Sequence, residues 1–264
     1  MKDADEGETD MKPHLVMPMG GSGSRFYKRG YMLPKPLIEI NGKPFLYWST
    51  QSINKFIEIH DVTFVVLKEH IENNGIDKVI KQYYPEARII MISEVFSGPV
   101  LTCLEGIEGF DDDAPVIFND CDHMFKCGAF NDLMNKGKMK EDGILLTFEA
   151  CGPQFSYVRY HDGKVIGTVE KEVVSSHAIC GSYVFRNAGI FKSAAEEYMR
   201  ICEYSEYFVS GVYNVLCNNR QPVSDYLLDF HVEFGTPEEF KRAKDSKYFA
   251  EMEYGLDEGI YDTN

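Results

Sequence analysis

The chain has 264 residues, of which 44% are hydrophobic, and its formal net charge is −15 at pH 7. This length and apolar content suit one globular domain and exclude wholesale disorder. An acidic surface repels nucleic acid and anionic lipid, and no run reaches the ~20 apolar residues of a membrane span, so we expect neither nucleic acid nor a membrane as a partner.

The acidic residues concentrate at the two ends of the chain. Residues 1–10 hold five acidic side chains against one lysine, and residues 251–264 hold five with no basic residue. We therefore expect an acidic disordered tail over residues 1–12, one folded domain over 13–250 and a second acidic tail over 251–264. A cytoplasmic location is expected, because the N-terminal segment lacks an apolar signal region and the seven cysteines form no disulfide-like pattern.

Strand-like and helix-like segments alternate through the first half of the chain. Short apolar runs predict buried strands, and apolar residues at helical spacing predict the helices between them. In chain order we predict a strand over 14–19, a helix over 44–57, a strand over 61–67, a helix over 69–84, a strand over 88–92, a helix over 98–107 and a strand over 114–119. This alternation predicts an α/β fold with a mainly parallel central sheet and helices on both faces.

The second half of the chain has a more mixed pattern of predicted elements. They are strands over 143–150, 157–161, 164–170 and 179–185, helices over 190–204 and 209–217, a strand over 223–232 and a closing helix over 237–244. No internal repeat or low-complexity linker separates the two halves. One domain, with a binding region in each half, is the simplest organisation.

A glycine-rich turn, Gly20–Phe26, directly follows the first predicted strand. Three glycines within four positions let the backbone turn sharply and present several N–H groups to an anion. The turn matches neither the dinucleotide fingerprint, which fails at Phe26, nor the P-loop, because Pro44 occupies its serine or threonine position. Ten residues after Arg25, Lys35 stands between two prolines that stiffen the loop, as a fixed phosphate contact requires.

These segments resemble the opening signature of the sugar nucleotidyltransferases, also called nucleotide-sugar pyrophosphorylases. The glycine turn, the stretch Pro34–Leu37, the stretch Asn41–Pro44 and the spacing of Arg25 and Lys35 all match. The resemblance implies a Rossmann-like nucleotidyltransferase fold in which the turn wraps a triphosphate while the arginine and the lysine contact its phosphates. The nucleotide-binding residues that it implies are Gly20, Gly21, Ser22, Gly23, Ser24 and Gly98.

Carboxylates follow the predicted strand over 114–119, at the end of the strand where open α/β sheets bind ligands. Asp120 and Asp122 offer hard oxygen atoms that suit Mg²⁺ bound to substrate phosphates. The resemblance implies that Asp122 is the metal ligand. A later family motif resembles Gly235–Glu238, and Glu233 stands two residues earlier, where the family usually has a second metal-binding aspartate. Whether the longer Glu233 reaches the ion directly stays open.

Four residues of the second half resemble the family's binding site for the sugar phosphate. Glu170 and Lys171 resemble a pair in which the glutamate holds sugar hydroxyls and the lysine reaches the sugar phosphate. Gly181 lies in a segment that looks like the glycine-containing strand lining the sugar pocket. Tyr157 lies where the family has a short acceptor-binding loop.

The resemblance implies an Mg²⁺-dependent nucleotidyltransferase of nucleotide-sugar and polysaccharide biosynthesis. It would join a nucleoside triphosphate to a sugar 1-phosphate and release pyrophosphate, with Arg25, Lys35 and Asp122 as catalytic residues. The alternatives are a cytidylyltransferase acting on a non-sugar phosphate, a metal-dependent glycosyltransferase that uses Asp120 and Asp122, and a nucleotide-sensing or scaffold domain. The base, the sugar and the oligomeric state, including a homo-oligomer, stay open.

Overall fold

The structure is a computed structural model that describes residues 12–255. The strands are β1 (His14–Met19), β2 (Glu39–Ile40), β3 (Lys43–Pro44), β4 (Val62–Leu67), β5 (Arg88–Ile92), β6 (Val116–Asn119), β7 (His123–Lys126), β8 (Gly143–Glu149), β9 (Ser156–His161), β10 (Lys164–Glu170), β11 (His177–Phe185), β12 (Val223–Leu227) and β13 (Phe230–Glu233). The helices are α1 (Ser24–Tyr27), α2 (Phe45–Asn54), α3 (Lys68–Asn74), α4 (Ile76–Tyr83), α5 (Pro99–Gly106), α6 (Gly128–Asn135), α7 (Ala188–Ile201), α8 (Val209–Asn218), α9 (Pro237–Ala243) and α10 (Tyr248–Tyr254).

A nine-stranded sheet runs through the middle of the described chain in the order β10-β9-β11-β6-β1-β4-β5, with β8 paired to β11 and β12 paired to β8. The strands β5, β4, β1 and β6 are parallel to one another, and β12 is parallel to β8. Within this sheet, antiparallel pairing is confined to β11 with its neighbours and to the β9–β10 hairpin. The prediction of a mostly parallel central sheet is thereby confirmed.

Helices cover both faces of this sheet, because successive side chains of a strand point to opposite sides. On β1, Leu15 and Met17 join a core with residues of α2, α4 and α6, whereas Val16 joins a core with residues of α5, α7 and α8. A third cluster, rich in aromatic rings, joins Phe26 of α1 to α9, α10 and β13. This third cluster fixes the segment that follows the glycine turn.

Several predicted elements differ from those observed. The helix predicted over 69–84 is two helices, because Gly75 adopts a left-handed conformation between α3 and α4, with a φ of 61°. The strand predicted over 223–232 is β12 and β13, which lie in different sheets. The sequence did not predict β7, α6 or α10. The last of these crosses the expected boundary at residue 250, and its Met252 is buried.

The expected acidic tails fall mostly outside the described residues, which exclude 1–11 and 256–264. Their disorder therefore stays a prediction. Within residues 12–255, no helix has the length and apolar character needed to cross a lipid bilayer.

Candidate active site

The glycine turn leaves the carboxyl end of β1 and packs closely against its neighbours. A Cβ atom on Gly20 would lie 2.7 Å from Ile92 Cδ1, so a larger residue would push against the end of β5. Gly23 has a φ of +63°, and its Cβ position lies 3.2 Å from Lys35 Cβ. Glycine accepts this backbone conformation without strain, which brings the turn and Lys35 into contact.

Arg25 lies on α1, a short helix held in place by the residue that follows it. Phe26 is buried, and its ring packs edge-on against Tyr31 and Phe45, with centroids 5.2 and 5.8 Å away. Arg25 itself is exposed and forms no salt bridge with any residue between 12 and 255. Its guanidinium group is therefore available to an anion that binds at the glycine turn.

Lys35 and Asp122 form a salt bridge at the centre of the site. Lys35 Nζ donates a hydrogen bond to Asp122 Oδ2 at 2.8 Å, and both side chains are 26% exposed. Burial alone would lower the pKa of Lys35, but the charge of Asp122 raises it above the ordinary value. Burial alone would raise the pKa of Asp122, but the ammonium group of Lys35 more than offsets this and lowers it. Each group therefore keeps the other charged.

Asp120 lies beside this pair and is accommodated by Gly181. The Asp120 N–H donates to the Gly181 carbonyl at 2.9 Å, and a Cβ on Gly181 would lie 2.7 Å from Asp120 Oδ2. Gly181 also has a φ of +93°, which favours glycine. Burial, followed by the charge of Asp122, raises the pKa of Asp120 to about 7. The structure thus places Gly181 against the carboxylate pair, where it makes room for Asp120.

Glu233 lies on β13, which pairs with β7. Since β7 begins at His123, directly after Asp122, this pairing brings Glu233 towards the same centre. The Phe234 N–H donates to the Asp122 carbonyl at 3.0 Å, and the Cβ position of Gly235 lies 2.3 Å from Asp122 Oδ2. Burial, followed by the charge of Glu239, raises the pKa of Glu233 to about 7. Segments more than a hundred residues apart therefore meet as one acidic centre.

The sequence reasoning missed Glu239, whose position is fixed by the start of α9. The Thr236 side chain accepts a hydrogen bond from the Glu239 N–H at 3.2 Å, and Glu239 Oε2 accepts one from the Thr236 N–H at 2.9 Å. This reciprocal arrangement is a capping box, and its Thr-x-x-Glu pattern was a signal available in the sequence. Glu239 Oε2 lies 3.5 Å from the Cβ position of Gly235, which puts a further carboxylate beside the acidic centre.

A cleft of about 190 Å³ opens beside the glycine turn. The turn and Lys35 line one side, while Val95, Phe96 and Gly98 line the other. The glycine turn supplies polar backbone groups and the opposite wall supplies apolar side chains, an arrangement that suits a phosphate-bearing molecule with a flat base.

The far wall of the cleft is built from both halves of the chain. Gly98 has a φ of +133°, and a Cβ there would lie 2.3 Å from the backbone nitrogen of Tyr207. The Tyr207 N–H donates to the Ser97 carbonyl at 2.9 Å, and the Val100 N–H donates to the Tyr207 carbonyl at 3.1 Å. These bonds hold Glu206, a second residue that the sequence reasoning missed, at the rim of the cleft.

The expected acceptor residues lie at the end of β10 and on β9. Glu170 Oε1 accepts hydrogen bonds from the hydroxyl groups of Ser156 and Ser210. The Lys171 ammonium group lies 5.1 Å from the centroid of the Phe208 ring. Glu170 is therefore already oriented as an acceptor for hydroxyl groups, while Lys171 rests on an aromatic face.

Tyr157 is also placed near this end of the fold, but it is fully buried. Its hydroxyl group donates to the Gly152 carbonyl at 2.8 Å. In this conformation Tyr157 supports the loop that precedes β9, and its side chain is not open to solvent.

A family model described as nucleotidyl transferase matches residues 15–247. The chain belongs to the nucleotidyl transferase family. This confirms the family that the glycine turn and the Arg25–Lys35 spacing indicate. Mannose-1-phosphate guanyltransferases of Aspergillus oryzae and Aspergillus fumigatus are each 23% identical to it over 231 residues, which cover 84% of this chain and 60% of theirs. The chain thus spans 60% of the length of these curated relatives.

Solved structures of family members share the fold. A nucleoside-diphosphate-sugar pyrophosphorylase from Vibrio cholerae superposes with a TM-score of 0.77 at 24% identity, covering 88% of this chain and 100% of that one. An inositol-1-phosphate CTP transferase from T. maritima gives a TM-score of 0.72 at 14% identity, covering 92% and 96%. At these identities the likeness concerns the architecture, and it confirms the expected nucleotidyltransferase fold.

We expect Glu233→Gln to lower turnover only about 10-fold, the scale of a group that supports a metal ligand and does not bind the ion itself. Glutamine keeps the length and shape of the side chain and removes its charge. Initial rates at several magnesium concentrations measure the effect. A loss as large as that from Asp122→Asn would contradict this and make Glu233 a full ligand.

Proposed function

We propose that the chain is an Mg²⁺-dependent nucleotidyltransferase that joins a nucleoside triphosphate to a sugar 1-phosphate and releases pyrophosphate. The salt bridge between Lys35 and Asp122 carries the proposal. It brings a cation suited to phosphate and an anion suited to a metal ion together beside the glycine turn, at the carboxyl edge of the sheet. The names of the curated relatives and of the Vibrio cholerae protein support a sugar phosphate as the second substrate.

The donor atoms of the acidic centre fit Mg²⁺. Asp120, Asp122 and Glu233 offer only hard oxygen ligands, which this ion prefers. Burial raises the pKa of the Cys121 thiol to about 12, which favours its protonated form. Asp122 would hold the ion directly, with Glu233 supporting it from β13, and the ion when bound would neutralise charge on the substrate phosphates.

In the proposed reaction, an oxygen of the sugar phosphate attacks the α-phosphorus of the triphosphate. The bond between this phosphorus and the bridging oxygen to the β-phosphate breaks, and pyrophosphate leaves. Because both reactants are anions, the chain acts mainly by positioning them and offsetting their charge. Arg25 and Lys35 offset charge on the triphosphate and the departing pyrophosphate, Lys171 holds the incoming phosphate, and Glu170 accepts hydrogen bonds from sugar hydroxyls.

A panel of substrates tests the proposal. The full chain is incubated with each of the four nucleoside triphosphates and a set of sugar 1-phosphates, with magnesium or with EDTA, and pyrophosphate is measured. Release that needs both substrates and magnesium supports the proposal. A metal-dependent glycosyltransferase would consume a finished nucleotide-sugar and release no pyrophosphate, and a nucleotide-sensing domain would bind the triphosphate without turnover.

A second candidate is a cytidylyltransferase that acts on a non-sugar phosphate, and the likeness to the inositol-1-phosphate CTP transferase favours it. The same panel therefore includes CTP with inositol 1-phosphate. Pyrophosphate release in that mixture, and in none containing a sugar 1-phosphate, would favour the second candidate. For either activity we propose a cytoplasmic location, supported by seven cysteines that are all free thiols.

We expect Lys35→Ala and Arg25→Ala each to lower turnover about 10²–10³-fold, as measured when one preorganised donor is removed from a developing charge. Lys35 lines the cleft and Arg25 is exposed on the short helix after the glycine turn, so the fold should persist. The matched control is Lys136→Ala, whose ammonium group is exposed and pairs with Asp132 at 2.8 Å. Near-normal pyrophosphate release by either variant would show that the substituted residue is a surface charge without a role in turnover.

A further inference from the structure

Two imidazole rings and a carboxylate converge at the edge of the sheet opposite the candidate active site. His14 begins β1, whose other end carries the glycine turn, and His60 and Asp61 directly precede β4. His14 Nδ1 lies 2.8 Å from Asp61 Oδ1, and His60 Nδ1 lies 3.3 Å from Asp61 Oδ2. One ligand atom from each residue lies within 4.8 Å of the other two.

The backbone holds these three residues in fixed relative positions. The Leu15 N–H donates to the Asp61 carbonyl at 3.0 Å, as part of the parallel pairing of β1 with β4. The His60 N–H donates to the Pro13 carbonyl at 2.9 Å. The residues next to both histidines are thus tied across the two strands, so the cluster is organised before any ligand arrives.

The His14 ring is also held by its aromatic neighbours. Its centroid lies 4.2 Å from that of Phe110 and 4.4 Å from that of His60. The His14 side chain is 14% exposed, whereas that of His60 is 63% exposed. The cluster therefore combines one fixed imidazole with one at the surface that can adjust, and a small ion can enter from solvent.

We propose that His14, His60 and Asp61 form a binding site for a divalent transition-metal ion of the zinc class. Two imidazoles with one carboxylate are a donor set that Zn²⁺ and its neighbours favour, whereas Mg²⁺ prefers oxygen ligands alone. In a tetrahedral zinc site with bonds of 2.0–2.2 Å, the ligand atoms lie about 3.4 Å apart. The separations of 2.8 and 3.3 Å, which run from the two imidazole Nδ1 atoms to different oxygens of Asp61, are of this order, and water can complete the coordination.

An ion at this position ties the start of β1 to the segment that leads into β4. Because an ion that binds only the folded chain stabilises it, zinc should stabilise the pairing of these two strands. The site lies away from the glycine turn and the acidic centre, so turnover with magnesium alone does not depend on it.

Zinc alone is the probe for this site, added to the full chain in excess magnesium so that the oxygen-rich centre is occupied. Bound zinc per chain is counted by equilibrium dialysis, and thermal unfolding gives a second readout. We expect the unaltered chain to bind one more zinc ion than either the His60→Ala or the Asp61→Asn variant. Zinc should also raise the unfolding temperature of the unaltered chain but not that of His60→Ala. Other thiols and carboxylates that bind zinc are present in all variants. The difference in bound zinc between the unaltered chain and each variant therefore reports on this site alone.

The matched control is His161→Ala, which removes another mostly exposed histidine that lies beside an acidic residue. His161 Nε2 lies 3.6 Å from Asp162 Oδ2, and this histidine–aspartate pair lacks the second imidazole that the proposed site has. This variant should keep the zinc count of the unaltered chain. An equal count in His60→Ala, or an equal loss in His161→Ala, would overturn the proposal. Because the His60 side chain is mostly exposed, its removal should leave the fold intact, and circular dichroism verifies this.

Discussion

Asp122→Asn is expected to lower turnover about 10³-fold, the upper end of the range for removing one preorganised charge at a reaction centre. Asparagine keeps the shape of the side chain, but it removes the anion that pairs with Lys35 at 2.8 Å. It also removes the carboxylate proposed to hold Mg²⁺. The variant should therefore need far more magnesium for the turnover that remains, which initial rates against magnesium concentration will show.

A carboxylate with the same kind of partner, but on the surface, provides the control for this experiment. Asp112 pairs with Lys192 at 2.8 Å, and its side chain is 80% exposed. Asp112→Asn breaks a salt bridge of the same length and should leave turnover and magnesium dependence unchanged, because exposed ion pairs contribute little. If Asp122→Asn were as harmless as this control, the metal assignment would fail.

Gly235→Ala is expected to lower turnover about 10²-fold, as displacement of a reacting group by about 1 Å can do. The added Cβ atom would lie 2.3 Å from Asp122 Oδ2, so the oxygen that accepts the hydrogen bond from Lys35 must shift from its present position. The backbone at Gly235 is outside the left-handed region, so alanine adds no conformational strain there. The loss should appear in turnover, with only a small change in unfolding temperature.

Gly128→Ala is the matched control, since it also brings a methyl group towards an aspartate. Its Cβ position lies 3.3 Å from Asp229 Oδ2, away from the cleft, and this contact needs only a slight adjustment. Normal turnover is expected in this variant. Equal turnover in Gly235→Ala and Gly128→Ala would mean that the exact position of Asp122 does not matter for the reaction.

The fold could be predicted where apolar runs are short and continuous. The bounds of β1 and β5 agree with the predicted strands, since their side chains are mostly buried or packed against helices. β7 could not be predicted in this way, because His123–Lys126 is defined by pairing with β13, which lies more than a hundred residues later. Its four residues carry no local pattern long enough to separate a strand from a turn.

In the site, too, local motifs could be predicted from the sequence, whereas contacts between distant segments could not. The resemblance places Lys35 and Asp122 in one reaction, but their direct contact joins positions 87 residues apart and follows only from the folded chain. Gly181 and Gly235 were interpreted as parts of motifs, yet each is required because a carboxylate approaches from another segment. Close approach between segments is set by packing, which residue type and spacing do not reveal.

The hydrogen bonds that join Tyr207 to Ser97 and Val100 connect the two halves of the chain, so the halves cannot be separated without changing the cleft. The glycine turn lies in the first half of the chain, but the wall that faces it depends on a segment just before α8. In addition, β11 pairs with β6 inside the sheet, so the first half alone would expose a strand edge. A duplicated or transplanted first half would therefore carry the glycine turn without the complete cleft, which needs nearly the whole described domain.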